Sequence, residues 1–197
     1  MEFGILNEKI KKLEELKQKA AKCLSCPLGK TRTNLVFSDG SENAQIMLIG
    51  EAPGADEDAS GIPFVGRAGK LLNQFLEQAG IDRKNDIYIA NILKCRPPQN
   101  RTPIPSEKEA CFSFLKAQID IVKPKVIILC GSCAMSMFLP DKTPISKIRG
   151  QWFNYNSTTV MMPIFHPSYL LRNHSLEEGK PRQLTLSDLK KICEYIK

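Results

Sequence analysis

The chain has no apolar stretch of membrane-spanning length among its 197 residues, which leaves no segment to serve as a transmembrane helix. Its opening residues, Met1-Glu2-Phe3-Gly4-Ile5-Leu6, show no charged segment followed by a long apolar one. No secretory signal peptide is therefore expected, and a cytoplasmic location is. No block of five or more like charges occurs, which argues against a disordered basic tail. No repeat of fixed period and no low-complexity segment is present, so array and solenoid architectures are excluded. Histidine is scarce, with only His166 and His174 in the chain.

What is present fits one domain over residues 1–197, long enough to bury a core, with 42% hydrophobic and 25% charged residues. The formal net charge of +7 has two readings: a solvated basic face, or a polyanionic partner such as nucleic acid. Seven cysteines, an odd number in a chain with a large core, argue against a disulfide scaffold. Metal or cluster ligation by some of them is the better expectation.

Apolar residues at Leu6, Ile10, Leu13, Leu16 and Ala20, with Lys and Glu between, predict an amphipathic helix over 5–22. The run Ile46-Met47-Leu48-Ile49 predicts a buried strand that stops at Gly50. The Gly/Pro/Asp-rich stretch 51–69 is expected to be irregular. A helix follows over 68–79, with Gly80 as its stop. Ile87-Tyr88-Ile89-Ala90 is a second strand, leaving into the loop Lys94-Cys95-Arg96-Pro97-Pro98-Gln99-Asn100-Arg101. Ser106 followed by Glu109 resembles a capping box opening a helix through about Val122. Val126-Ile127-Ile128-Leu129 is a third strand, with a short helix after it. Thr158 to Phe165 is the fourth, ending at His166-Pro167, and a last helix closes the chain near 186–196. Strands alternating with helices predict an α/β fold, a three-layer α/β/α sandwich on a central, mostly parallel four-stranded sheet.

The cysteines fall into two groups. Cys23-x-x-Cys26 and Cys130-x-x-Cys133 both have ligand spacing, and read blindly would make a four-cysteine zinc site. Cys130, however, ends a core strand among Leu129, Met135 and Met137, where a small buried hydrophobe fits better. Cys193 sits on the last helix, where a core or a surface role is expected rather than a ligand role. Cys95, in an irregular loop, and Cys111, on the first turns of a helix, are the better partners for Cys23 and Cys26. Four thiolates suit zinc or an iron–sulfur cluster equally by type.

The strand ends carry the remaining chemistry. In a parallel sheet the carboxyl ends of the strands converge on one crevice. The first end offers Glu51, then Asp56, Glu57 and Asp58; the second offers Asn91, Lys94, Arg96 and Arg101. The fourth offers His166-Pro167-Ser168-Tyr169-Leu170-Leu171-Arg172, and Phe64 adds an aromatic on the first loop. Singly each has a bland reading: Asn91 as a turn cap, His166 as a satisfied strand-end residue, Phe64 as core. Together they suit base recognition. An Asn amide reads a donor–acceptor edge, an aromatic face stacks on a base, and a neutral His N–H stabilises negative charge. A basic rim holds phosphates, and a bulky apolar loop wedges into a duplex.

From Cys23 to about Arg172 the chain resembles the family 4 uracil-DNA glycosylases, the iron–sulfur type found in bacteria and archaea. The resemblance is carried by Cys23-x-x-Cys26, Gly50-Glu51-Ala52-Pro53-Gly54 with Glu57-Asp58, and Pro63-Phe64-Val65-Gly66-x-Ala68-Gly69. It continues through Asn91-x-x-Lys94-Cys95-Arg96-Pro97-Pro98-x-Asn100-Arg101, Cys111 and His166-Pro167-Ser168. It implies a [4Fe-4S] cluster on Cys23, Cys26, Cys95 and Cys111, in a structural role. It implies a hydrolase acting on N-glycosyl bonds, which flips uracil out of DNA, releases the free base and leaves an abasic site for base excision repair. By the same resemblance Phe64 stacks on uracil, Asn91 reads its Watson–Crick edge, and His166 donates to its oxygen. The backbone at Ala52 approaches the base, and Glu57 lines the pocket where thymine carries its methyl. Arg96, Arg101, Ser168, Leu170, Leu171 and Arg172 face DNA, the last three filling the space left by the flipped base. The best-known uracil-DNA glycosylases place an aspartate two positions after the strand-end glycine to position water; here that position is Ala52. Glu51 or Glu57 must act on the water instead, directly or through an intervening water, or electrostatics must carry most of the work; the expected division is Glu51 at the water and Glu57 at the pocket.

Three other readings compete. A zinc-dependent base deaminase also flips bases but requires His-x-Glu followed by Pro-Cys-x-x-Cys; His166 precedes Pro167-Ser168, and Cys26 precedes its proline. A non-catalytic DNA-binding module on a four-cysteine metal site has no need of Asn91, His166 and Phe64 together. A relative that links covalently to uracil through an extra histidine is disfavoured, since the loop from Cys95 to Ser106 contains none. The expected partner is uracil-containing DNA, single- or double-stranded, met by a monomer in the prokaryotic cytoplasm at the nucleoid, with no membrane contact. A sliding clamp is a candidate partner, although Gln183-Leu184-x-Leu186 lacks the aromatic pair of a clamp-binding peptide.

Overall fold

The computed structural model describes residues 2–139 and 143–197; Met1, at the head of the segment read for a signal peptide, lies outside them. Helix α1 (Glu2–Ala21) is followed by the single-turn α2 (Leu28–Thr31), β1 (Asp39–Gly40), β2 (Ile46–Gly50), α3 (Ala55–Ser60), α4 (Arg67–Gln78) and β3 (Ile87–Asn91). A 3₁₀ turn at Pro98–Asn100 leads to α5 (Pro105–Val122), β4 (Val126–Cys130), α6 (Ser132–Phe138) and α7 (Ile145–Ile148). The chain closes with β5 (Phe153–Asn154), β6 (Val160–Ile164), α8 (Pro167–Leu170) and α9 (Pro181–Ile196).

The sheet has six strands in the order β1-β3-β2-β4-β6-β5 rather than the expected four. The four expected strands are its parallel centre. The additional two are antiparallel two-residue edges, too short to leave a periodic pattern in the sequence. Every residue of β2, β3 and β4 is buried, as a sheet covered on both faces requires. Alternate side chains divide between two cores. Met47, Ile49, Tyr88, Ala90, Ile127 and Leu129 pack with Leu13 of α1 and Leu115 and Ile119 of α5. Ile46, Leu48, Ile87, Ile89, Val126 and Ile128 pack with Leu72, Phe75 and Leu76 of α4 and Leu189 and Ile192 of α9. Cys130 and Cys193 sit inside this second core, and burial pushes the Cys130 thiol far above its ordinary range.

Several local expectations shift. The stretch 51–69 contains α3, whose N-terminus is tied by Glu57 accepting from the Gly54 N–H (3.0 Å). Helix α5 starts at Pro105, whose fixed φ suits the first helical position. The reciprocal acid is therefore Glu107, accepting from the Ile104 N–H (3.1 Å), and not Glu109. Helix α9 likewise starts earlier than expected, at Pro181. It winds Gln183 to Leu186 into its first turns with Leu184 and Leu186 against the core, so this segment is not a free clamp-binding peptide.

The topology places the site. After β2 the chain adds β3 on one side and then β4 on the other. Such a reversal opens a crevice beyond the carboxyl ends of the strands.

Candidate functional site

The crevice is a cleft of about 1220 Å³ lined by residues from every expected strand end: Glu51 and Ala52 after β2, Asn91 at the end of β3, Cys133 beyond β4 and His166 after β6. Glu57, Phe64, Asn100, Arg101 and Ser168 complete its walls.

Its geometry turns on two missing side chains. A Cβ on Gly50 would lie 2.3 Å from Asn91 Oδ1 and 2.6 Å from Phe64 Cζ, so only glycine lets the amide and the ring meet over the strand end. A Cβ on Gly69, in the first turn of α4, would lie 2.0 Å from the Phe64 carbonyl carbon and oxygen. Phe64 itself has φ of 54°, a left-handed backbone that costs an aromatic residue on the order of 1–3 kcal/mol. Its ring is buried and lies 5.9 Å from the His166 ring, tilted by 38°.

Asn91 is only 2% exposed, yet its side-chain amide has no hydrogen-bond partner among the described residues. No buried side-chain nitrogen or oxygen lacks a partner among the described residues, so the unpaired amide tip is the part of Asn91 that opens on the cleft, where a ligand can pair it. Its backbone carbonyl, in contrast, is held by the Lys94 ammonium (2.7 Å). Lys94 was expected on a basic rim but lies fully inside the protein. Its Nζ also donates to Gln118 Oε1 (2.5 Å), while Gln118 Nε2 donates to Tyr88 Oη (3.0 Å) and the Phe37 carbonyl (3.1 Å). Burial lowers the Lys94 pKa to about 8, against the opposing pull of Cys111 and Cys95.

His166 accepts at Nδ1 from the Ser168 N–H (3.2 Å), with the Ser168 hydroxyl 2.8 Å from the same nitrogen. Those contacts occupy the Nδ1 lone pair and assign the proton of the neutral ring to Nε2. An edge of the ring meets the cleft, but most of it is enclosed, and that burial brings its pKa down to about 4 although the Glu57 charge opposes the change.

The two carboxylates differ in kind. Glu51 is half-buried, and burial raises its pKa despite a hydrogen bond with Cys133 and the charge of Lys108. Glu57 also reaches the cleft, but its oxygens are committed to the backbone. Oε1 accepts from the Val65 and Gly66 N–H groups (2.9 Å each) and Oε2 from Gly54. Glu57 therefore braces the β2 turn against the Phe64 loop, with three backbone N–H groups on its carboxylate, while still lining the cleft.

The expected DNA-facing residues separate. Ser168 and Arg172 are exposed, and Leu171 is half-buried. Leu170 is fully buried in the core beneath α8 and is not available as a wedge, because its side chain closes the hydrophobic layer under the turn. Arg96 Nε donates to Asn100 Oδ1 (2.7 Å). Arg101 forms a two-pronged pair with Glu107 (2.9 and 2.6 Å) that holds the cleft edge to α5.

A second, small cavity is lined by Cys23, Cys26, Cys95 and Cys111, together with Arg32 and Lys94. Arg32 Nη1 donates to Cys95 Sγ (3.2 Å), and Nη2 donates to the Ala21 carbonyl. Burial raises both the Cys95 and the Cys111 thiols. Among the described residues no group of three or more His, Cys, Asp and Glu is drawn in to hold a metal ion; four thiols lining one cavity are the donor set of an iron–sulfur cluster or of zinc. Cys130 and Cys133 stand apart from this cavity.

Sequence reasoning missed the interior position of Lys94, the Cys133–Glu51 contact and the bracing role of Glu57. Only the last had a local signal, since Glu57 stands three residues after Gly54, the spacing of a helix-start acid.

The sequence profile of the Uracil DNA glycosylase superfamily matches residues 37–190. The chain is 46% identical to a type-4 uracil-DNA glycosylase of Thermotoga maritima, over 94% of this chain and 95% of that one. It is 40% identical to the type-4 uracil-DNA glycosylase of Archaeoglobus fulgidus, over 92% of both. It is 39% identical to that of Sulfurisphaera tokodaii, over 92% of this chain and 84% of the other.

With its folded pKa at about 4 and an ordinary value of 6.5, His166 binds fewer protons folded than unfolded between those limits. It therefore favours the folded state fully above pH 6.5, and that contribution is lost as pH falls through about 4. An NMR titration of the imidazoles is expected to place the His166 midpoint near 4. A midpoint at or above the ordinary value contradicts the enclosed, neutral ring.

Proposed function

The chain belongs to the type-4 branch of the uracil-DNA glycosylase superfamily, and from that premise we propose that its cleft takes up uracil flipped out of DNA and hydrolyses the N-glycosidic bond. Free uracil and an abasic site are the products of this repair reaction. The observation that carries the reading is the unpaired amide tip of Asn91, opening on the cleft beside the Phe64 ring and His166. A site built to hydrogen-bond its substrate leaves such a group open.

The residues divide the work as follows. Phe64 offers a stacking face, and the Asn91 amide matches the alternating donor and acceptor of the uracil edge. As the bond from N1 to the sugar breaks, its electron pair moves onto the base and is shared with an exocyclic carbonyl oxygen. The Nε2–H of neutral His166 donates to that oxygen, stabilising the charge in a partly enclosed site. The sugar becomes oxocarbenium-like, water attacks its anomeric carbon, and Glu51 accepts the proton that water releases. Burial makes Glu51 more basic than an exposed carboxylate, and Ala52 supplies no carboxylate to compete. The backbone at Ala52 approaches the base. Arg96, Arg101, Ser168 and Arg172 meet the DNA backbone, and Tyr169, which is 39% exposed, stands where Leu170 was expected to enter the duplex.

Cys23, Cys26, Cys95 and Cys111 would hold a [4Fe-4S] cluster, which when bound supplies a cross-link between α1, the loop after β3 and α5. The four thiols around one cavity support this, and the cations Arg32 and Lys94 balance thiolate charge. A single domain over residues 1–197 acting as a monomer is part of the same proposal. No helix among the described residues is long and apolar enough to cross a membrane, in keeping with a cytoplasmic enzyme at the nucleoid. With Leu184 and Leu186 packed in α9, a sliding-clamp contact has no support in this segment.

A base-release assay on DNA carrying uracil, thymine or hypoxanthine tests the reading. Uracil is expected to be released and thymine retained. Asn91→Ala should lower single-turnover excision by at least about 100-fold while iron and sulfide content stay unchanged; wild-type release from Asn91→Ala overturns the recognition role. Glu51→Gln should slow the same step by about 100-fold or more. Glu57→Gln should instead destabilise the fold by about 2 kcal/mol in chemical denaturation, and equal effects of the two on the rate contradict the division between them. Cys95→Ser should reduce iron, sulfide and thermal stability together, and a stable, fully active protein without iron contradicts the structural role of the cluster.

A further inference from the structure

The left-handed backbone of Phe64 is held on its far side by Glu57 of the cleft wall, which takes the Val65 and Gly66 N–H groups. The carbonyls of Pro63 and Phe64 are held by Arg83, in the loop between α4 and β3 and outside the cleft lining. Its Nη1 donates to the Phe64 carbonyl (3.1 Å) and its Nη2 to the Pro63 carbonyl (2.6 Å). The same guanidinium is oriented from its other sides. Nε donates to Asp39 Oδ2 of the edge strand β1 (2.8 Å), and Nη1 also donates to Asn73 Oδ1 of α4 (2.5 Å). The side chain is only 18% exposed. A planar fork held on three sides therefore grips two successive carbonyls, and α4, at Gly69, presses on the second of them.

We propose that Arg83 is a positioning residue for uracil recognition: by fixing the Pro63–Phe64 backbone it aims the Phe64 ring into the cleft. This rests on the reading that Phe64 stacks on the base. A lysine would keep the charge and a contact with Asp39. Its single ammonium has no rigid fork with which to bridge two carbonyls, so Arg83→Lys removes the positioning device while sparing the ion pair.

The test is a double-mutant cycle on the full chain with its cluster loaded, using wild type, Arg83→Lys, Phe64→Ala and the double variant. Inhibition by free uracil, single-turnover excision and melting temperature are read on each. Arg83→Lys is expected to weaken uracil inhibition about tenfold, and Phe64→Ala by at least as much. The double variant should bind uracil no more weakly than Phe64→Ala alone, because the arginine acts through the ring. Any loss of melting temperature from Arg83→Lys should remain in the Phe64→Ala background, which separates stability from positioning. Wild-type inhibition by uracil in Arg83→Lys overturns the proposal, and so does a tenfold loss that persists when the ring is absent. If Arg83→Lys fails to fold, Asn73→Ala loosens the same guanidinium from one side and is read in the same cycle. A wild-type protein that neither excises nor binds uracil defeats the functional reading itself, an outcome distinct from failure of the Arg83 role.

Discussion

The site depends on the absence of a side chain at Gly50. Beta strands deliver groups to the end of a sheet about one strand spacing apart, and an ordinary residue there would keep the groups of neighbouring elements separated. At Gly50 the Asn91 amide from the paired strand and the Phe64 ring from the following loop share the volume a Cβ would occupy. The other features of the cleft serve this contact. Glu57 ties the β2 turn to the Phe64 loop through three backbone N–H groups, and Gly69 lets α4 press on the Phe64 carbonyl. Lys94 holds the carbonyl of Asn91 from within. The amide is thus fixed by its backbone and left free at its tip, which is the arrangement that recognition by hydrogen bonding requires.

Lys94 also joins the two cavities. It lines the cysteine cavity and bonds Asn91 at the cleft, so the packing of the one bears on the other through a single buried side chain. Gln118, Tyr88 and the Phe37 carbonyl complete the network, leaving no buried side-chain nitrogen or oxygen unsatisfied among the described residues. A structural cluster on Cys95 and Cys111 would in this way stiffen the floor beneath Asn91 without taking part in the chemistry.

Much of this was legible in the sequence, for physical reasons. Continuous apolar runs such as Val126 to Leu129 mark strands buried on both faces, and their polar ends mark the crevice; Glu51, Asn91 and His166 were located by that logic alone. The four cysteines were separable from Cys130 by the apolar neighbours of the latter. What was hidden depends on three-dimensional contact. The edge strands at Asp39–Gly40 and Phe153–Asn154 are two residues long and have no period to detect. Leu170 has the chemistry of a wedge, but packing under α8 claims it for the core. Arg83 and Lys94 look like surface cations in sequence, and only the fold shows one gripping two carbonyls and the other enclosed. The left-handed φ of Phe64 had no signal, since glycine is the residue that announces such backbones.

The central claim is the location of the base, and a crystal structure of the protein with free uracil bound tests it most directly. The account predicts the ring on the face of Phe64, its Watson–Crick edge paired with the Asn91 amide, and one exocyclic oxygen within hydrogen-bond distance of His166 Nε2. Uracil bound outside this cleft, or within it but with the Asn91 amide unpaired, would contradict the account.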